Sequence, residues 1–217
     1  MIEKILPPAV VAVEAFEDPA EAVLLPEEEP LVAKAVAKRR AEFTTVRHCA
    51  RQALARLGRP PAPILPGERG APGWPAGVVG SMTHTAGYRA AVLAEATDVV
   101  TVGIDAEPAE PLPDGVEAVV ALPDERTHLA ELFAREPGVR WDKLLFAAKE
   151  STYKAWFPLT RRWLGFEEAR LRFDPGGTFT SELLVAGPEV GGERITGFSG
   201  RWLSEGGFVV AAITITT

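Results

Sequence analysis

Apolar positions along this chain of 217 residues switch repeatedly between a two-residue and a three-to-four-residue period. Ala9 to Phe16 reads as a first strand, followed by an acidic connection punctuated by proline. Glu27-Glu-Glu-Pro30 reads as a helix start, because acids favour the positive end of the helix dipole and proline suits a first turn. From about Val32 to Leu57 the period is helical, with Phe43, Val46, Ala50, Ala53 and Leu57 on one face, and Gly58 and Pro60 stop it. Residues 58 to 77 are loop. Val78 to His84 begins as a short buried strand, Gly87 breaks the chain, and strands follow at Tyr88 to Glu95 and from Val99. Pro108 to Pro113 reads as an interdomain linker. Pro123 to Ala134 is helical, and a longer helix runs from Trp141 to Trp156 with Pro158 ending it. Its buried stripe is Leu144, Leu145, Ala148, Thr152 and Ala155. The chain closes with strands at Ala169 to Phe173, Thr178 to Val185, Ile195 to Leu203 and Phe208 to Thr216, the last two a hairpin through Gly206-Gly207. Strict alternation of strand and helix is absent. The expectation is an α+β protein of two lobes of similar size, residues 1–107 and 108–217.

Composition narrows the setting. Hydrophobic residues make up 47% and charged residues 24%, as in ordinary globular domains, and no apolar run approaches membrane-spanning length. A basic segment followed by a hydrophobic stretch is missing from the N-terminus, which points to the cytoplasm. One cysteine, Cys49, excludes an internal disulfide or a Cys-based zinc site and falls where a small packed residue is expected. The net charge of −7 argues against non-specific nucleic-acid binding. Its distribution is more informative. Between Ile5 and Ala33 there are seven acids and no Lys or Arg, whereas Lys34 to Arg59 carries eight basic residues against Glu42 alone. A concentrated basic segment in an acidic protein suits a small polyanion.

Candidate chemistry gathers at four places. Val99-Val-Thr-Val-Gly-Ile-Asp-Ala-Glu107 is a buried strand whose alternation sets Asp105 and Glu107 on one face, where two carboxylates call for a cation between them, a divalent metal being the usual answer. Arg40, Arg47 and Arg51 fall on one polar side of the first long helix, flanked by Arg39 and His48, a one-sided cluster suited to an anion. Gly67-Glu-Arg-Gly-Ala-Pro-Gly73 brings backbone N–H groups and Arg69 toward a ligand, and His84, with Ser81 and Thr83 beside it, supplies further donors. On the later helix Phe146, Glu150 and Lys154 align at four-residue steps beside Lys149, with Tyr153, Trp156 and Trp163 flanking.

Gly103-Ile-Asp-Ala-Glu107, followed some forty residues later by Phe146-Ala-Ala-Lys-Glu-Ser-Thr-Tyr-Lys-Ala155, resembles the paired signature of the 4′-phosphopantetheinyl transferases. Ser81-Met-Thr-His84 and Arg39-Arg-Ala-Glu-Phe-Thr-Thr-Val-Arg47 fit the same family, so the resemblance runs from about residue 35 to the C-terminus. It is greatest to the two-lobed, monomeric Sfp-type class and its actinobacterial members, which serve siderophore, lipid, peptide and polyketide synthases in secondary metabolism. Phe146 stands where the family commonly has Trp, and Ser151 where it often has Ala. Neither change removes a charge.

The resemblance implies a pseudo-twofold fold in which each lobe packs a small, mostly antiparallel sheet on a long helix. It implies transfer of the phosphopantetheine arm of coenzyme A to a serine of an acyl or peptidyl carrier protein of polyketide, non-ribosomal peptide or fatty-acid synthases, releasing adenosine 3′,5′-bisphosphate. Asp105, Glu107 and Glu150 would hold Mg²⁺, with Mn²⁺ as a substitute, aided by the Ala106 carbonyl. Lys154 would reach the pyrophosphate and Lys149 would assist or orient Glu150. Arg39 or Arg40, with Arg47, Gly67, Arg69, Thr83 and His84, would bind the phosphates. Glu150, directly or through a metal-bound water, would be the general base, and Phe146, Tyr153, Trp163 and Leu164 would line the pantetheine channel or simply pack as core. The rival readings are a non-catalytic module that binds coenzyme A or a nucleotide bisphosphate, and a metal-dependent phosphohydrolase; the latter lacks a further acidic cluster.

Overall fold

A computed structural model describes residues 1–217. Strand β1 (Val11–Ala15) is followed by a single 3₁₀ turn at Glu29–Val32, and helix α1 runs over Ala37–Arg56. The helix therefore starts later than the acidic run suggests. Val36 is still extended, at φ −63° and ψ 154°, and Glu28 is fully buried against arginines of α1 instead of capping it. A two-residue hairpin, β2 (Leu65–Pro66) and β3 (Pro72–Gly73), shapes the loop before β4 (Val78–Thr85), β5 (Tyr88–Glu95) and β6 (Val99–Pro108). A short α2 (Val116–Val120), which the periodicity did not reveal, precedes α3 (Pro123–Arg135) and α4 (Trp141–Thr160). The second half ends in β7 (Ala169–Asp174), β8 (Thr178–Leu183), a small hairpin of β9 (Glu189–Val190) and β10 (Glu193–Arg194), then β11 (Gly197–Glu205) and β12 (Phe208–Thr216). No helix is long and apolar enough to cross a membrane.

Two antiparallel sheets result, β1-β5-β4 and β6-β12-β11-β8-β7. The fold is α+β, with α1 on the first sheet and α4 on β6 and β12 of the second. Alternation decides which faces are buried. In β5, Ala91 and Leu93 join the core beneath α1, while Ala90, Val92 and Ala94 point the other way to meet Val102, Ile104 and Ala106 of β6 and Val210 and Ala212 of β12. That central cluster ties the halves together. The expected division at residue 107/108 falls between the last two residues of β6, whose ladder partner is β12.

The halves meet where β4 and β6 lie side by side. No ladder joins them. The N–H groups of Ile104 and Ala106 donate instead to the Ser81 and Thr83 hydroxyls, at 3.1 and 3.2 Å. Residue 81 beside 104 and 83 beside 106 means that the two strands run in the same direction. The other face of β6 receives α4, at Gly103. A Cβ there would stand 2.1 Å from Ser151 O and 2.6 Å from Ala155 N, so only glycine lets the helix backbone approach. Thr101 Oγ1 donates to Ala155 O at 2.8 Å, near Pro158, which lacks an N–H to offer Lys154 O. Held there, the helix continues through Pro158 to Thr160 rather than stopping before it, and Arg161 caps it in the left-handed region at φ 55°. Cys49 is buried, and burial pushes its thiol up to about 11, so it stays protonated and packs as a small apolar group.

Gly103→Ala is expected to cost at least about 3 kcal/mol, because the clash is with helix backbone that cannot swing aside. Denaturant unfolding measures it; a loss well under 1 kcal/mol would mean that α4 can lift off the strand.

Candidate functional site

The site begins at the end of β6, on the face that α4 covers. Asp105 Oδ1 accepts from the Lys154 ammonium at 2.7 Å and from Thr83 Oγ1 at 3.0 Å. Lys154 also donates to Ile104 O at 3.1 Å and Met82 O at 3.3 Å, so one ammonium spans β4, β6 and the Asp105 carboxylate. Asp105 Oδ2 is buried without a partner. Glu107, two residues on, is half-buried with Lys143 at 3.8 Å. Burial and the Asp105 charge raise the Glu107 carboxyl above its ordinary range, against the opposing pull of Lys143 and Lys154. Burial, with Asp105 again adding to it, does the same to Glu150 despite Lys154. Asp105 thus disfavours the charge of both glutamates.

No three His, Cys, Asp or Glu side chains converge as a ready metal-ligand set. Of the expected triad of Asp105, Glu107 and Glu150, Asp105 is paired here with the Lys154 ammonium. The donor chemistry still suits a hard divalent ion: all three groups are carboxylates, one buried oxygen lacks a partner, and two carboxyls are held above their usual range.

A cleft of about 810 Å³ opens beside this corner. Glu150 and Lys154 line it from α4, Arg39 and Arg47 from α1, Gly67 and Arg69 from the β2–β3 loop, and His84 from the end of β4. Arg39 Nη1 contacts His84 Nε2. The protein around the cleft, followed by the Arg39 charge, holds His84 below its ordinary value. Arg47 lies 3.2 Å over the Phe43 ring and donates from Nε to Ile64 O at 3.0 Å. Burial brings it down to about 10, still charged at neutral pH. Arg69 sits in the left-handed region at φ 52°, 6.0 Å from the Trp163 ring. A smaller pocket of about 160 Å³, lined by Glu150, Tyr153, Trp163, Leu164 and Phe166 among others, shares Glu150 and Tyr153 with the cleft. Trp163 is 55% exposed and packs at a tilt against Tyr153, 4.9 Å between centroids.

Three expected ligand contacts are absent. Thr83 is buried, with its hydroxyl donating to Asp105 and accepting from Ala106 N, and it does not line the cleft. Arg40 turns away from the cleft to pair with Glu29 at the surface, which leaves Arg39 as the member of that pair facing inward. Lys149 is buried and donates to Glu125 (2.8 Å), Phe166 O (2.7 Å) and Ala169 O (3.0 Å), so all three of its protons are used within the fold. A signal for this was available, since Lys149 lies one turn from Leu145 and Thr152 in the buried stripe. Arg161, exposed and lining the cleft from the end of α4, escaped the sequence reading because its position depends on the helix passing through Pro158.

The family model described as 4′-phosphopantetheinyl transferase N-terminal domain matches residues 27–94, and that of the 4′-phosphopantetheinyl transferase superfamily matches residues 101–206. Among curated proteins, the chain is 58% identical to the 4′-phosphopantetheinyl transferase Svp of Streptomyces mobaraensis, over 99% of this chain and 89% of that protein. It is 53% identical to Npt of Nocardia iowensis, covering 98% and 99%, and 51% identical to PptT of Mycobacterium tuberculosis (strain ATCC 25618 / H37Rv), covering 93% and 90%; both carry the same enzyme name. The chain belongs to the 4′-phosphopantetheinyl transferase superfamily and is an actinobacterial-type transferase of the phosphopantetheine group. The non-catalytic module is thereby set aside.

Lys149→Met should cost about 3–5 kcal/mol of stability by stranding the Glu125 carboxylate, while the Michaelis constant for coenzyme A in the folded fraction stays within about twofold. A selective rise in that constant would return Lys149 to the ligand site. His84 gives a pH signature. Because its native pKa is depressed, its contribution to stability is complete above the unfolded value of about 6.5 and is lost as pH falls through the lower native value. The melting temperature of the ligand-free protein should therefore fall relative to His84→Gln as pH drops from about 7.5 to 5; parallel curves would show that His84 titrates freely.

Proposed function

We propose that the enzyme moves the 4′-phosphopantetheine arm of coenzyme A onto a serine of an acyl or peptidyl carrier protein, releases adenosine 3′,5′-bisphosphate, and uses Mg²⁺ held by Asp105, Glu107 and Glu150. The observation that carries this reading is the cleft. Arginines and a histidine line it together with Glu150 and Lys154, and Lys154 in turn holds Asp105, whose second oxygen is buried without a partner. A pyrophosphate needs the basic groups, and a cation that neutralises it needs the carboxylates.

On this reading Arg39, Arg47, Arg69 and His84 take the phosphates of coenzyme A, guanidinium groups matching terminal phosphate oxygens in pairs. Lys154 acts from the floor of the cleft by its charge, with its protons on Asp105, Ile104 O and Met82 O. Bound there, the divalent ion would offset negative charge growing on the oxygen that bridges the two phosphorus atoms. The carrier serine Oγ attacks the phosphorus bearing the pantetheine arm, the bond to the bridging oxygen breaks, and adenosine 3′,5′-bisphosphate departs. Glu150 takes the serine proton. Burial, ahead of the Asp105 charge, raises its carboxyl above the ordinary range, which makes it a stronger base than a free carboxylate. The neutral arm is assigned to the pocket beside Tyr153, Trp163 and Leu164, which adjoins Glu150. The sheet β1-β5-β4 with α1 and the sheet β6-β12-β11-β8-β7 with α4 act as the two lobes, and since one chain supplies both, the working unit is a monomer. On this reading it works in the cytoplasm, serving synthases of peptides, polyketides, lipids or siderophores.

Incubation with coenzyme A, Mg²⁺ and a panel of apo carrier proteins should add one phosphopantetheine mass to a carrier. Glu107→Gln should lower turnover by about 10²-fold and raise the Mg²⁺ concentration needed for half-maximal rate. Unchanged Mg²⁺ dependence in this variant would remove Glu107 from the metal site, and no mass gain on any carrier would defeat the transfer reading.

A further inference from the structure

Glu28 is the most thoroughly engaged carboxylate outside the cleft. It is 0% exposed, in a segment that the acidic composition marks as surface. Its Oε1 accepts from Arg51 Nη1 at 3.0 Å and from Ile64 N at 2.8 Å. Its Oε2 accepts from Arg51 Nη1 at 2.9 Å and from Leu25 N at 2.9 Å. Arg47 Nε lies 3.8 Å away. The peptide of Ile64 is consequently held at both ends, its N–H by Glu28 and its C=O by Arg47 Nε at 3.0 Å.

Two things follow for Arg47. Its Nε is occupied and its plane is fixed on Phe43, while Nη1 and Nη2 have no protein partner and the side chain lines the cleft. Arg39 and Arg51 both repel its charge, and Glu28 is the carboxylate that offsets them. Ile64 also begins the loop that carries Gly67 and Arg69 to the same cleft wall. Burying this ion group is costly, and only an intact set of hydrogen bonds compensates.

We infer that Glu28 is a positioning residue for the phosphate side of the cleft, holding the Arg47 guanidinium and, through Ile64, the loop bearing Arg69 in the orientation that receives a phosphate of coenzyme A. The inference rests on the phosphate reading of Arg47 given above. Glu28 does not touch the substrate. It acts through Arg47, and a double-mutant cycle separates such an action from general support of the fold.

Initial rates with coenzyme A and an apo carrier protein varied in turn test it. Glu28→Gln should raise the Michaelis constant for coenzyme A about tenfold or more, with that for the carrier and the turnover number each within about twofold. Glu28→Asp, which keeps the charge, should recover part of the loss. Glu28→Gln combined with Arg47→Ala should be no worse for coenzyme A than Arg47→Ala alone. Additive effects, or equal losses toward both substrates, would overturn the inference. If Arg47→Ala itself leaves the coenzyme A constant unchanged, the phosphate reading of Arg47 fails; if Arg47→Ala raises it and Glu28→Gln does not, only the role of Glu28 fails. Should Glu28→Gln not fold, amide hydrogen exchange of the wild-type enzyme decides. Adenosine 3′,5′-bisphosphate should slow exchange at Ile64 about tenfold, and an unchanged rate would overturn the inference.

Discussion

The outer edge of β6 is the constraint on which this molecule depends. One edge of the strand is paired with β12. The other is buried against β4 without a ladder, yet backbone groups removed from water must find partners. Side chains supply them. Ser81 and Thr83 hydroxyls accept from Ile104 and Ala106, and Lys154 donates to Ile104 O and Met82 O. Two sheets are thereby joined by hydroxyls and one ammonium where a continuous ladder would have closed the space. The cleft lies along that seam, and its floor residue, Lys154, is also a fastener of the fold.

This double use explains the electrostatics. Joining the lobes by a lysine fixes a positive charge beside Asp105, but Glu107 and Glu150 also enter the corner from β6 and α4. Burial first, and the Asp105 charge after it, push both glutamates toward protonation against the pull of Lys154. Elsewhere along the cleft the imbalance is reversed. Arg39, Arg47, Arg69 and Arg161 line it with no carboxylate at bonding distance other than Glu28 behind Arg47. A ligand bearing phosphates and a divalent ion relieves both excesses at once.

Much of this was legible in the residues. The period of two in β6 put Asp105 and Glu107 on the face opposite Ile104 and Ala106, and α4 covers that face. The stripe of Leu144, Leu145, Ala148, Thr152 and Ala155 is buried as its spacing requires. Hidden features share one physical cause: they depend on contacts far along the chain. Glu28 reads as one more acid in a run of three, and only Arg47 and Arg51, some twenty residues later, bring it inside. Pro158 reads as a helix stop, and only the packing of Gly103 and Thr101 against the preceding turn carries α4 past it. Arg39 and Arg40 are adjacent, and the presence of Glu29 beside one of them decides which faces the cleft.

The two lysines of α4 show how far type and spacing carry a functional argument. Lys149 and Lys154 sit five residues apart, so they leave the helix roughly 140° apart. One points into the second lobe, where Glu125 also accepts from Leu122 N and Leu171 N and so ties α3, α4 and β7 together. The other points to the seam. Both are partly or wholly buried, both meet a carboxylate and two carbonyls, and by local chemistry they are nearly alike. What separates them is the surroundings of the carboxylate. Glu125 has its oxygens filled by backbone N–H groups, whereas Asp105 keeps one buried oxygen without a partner beside two further acids. The same pair of residue types closes a core in one place and leaves a site in the other, and the difference lies in the hydrogen bonds still to be made.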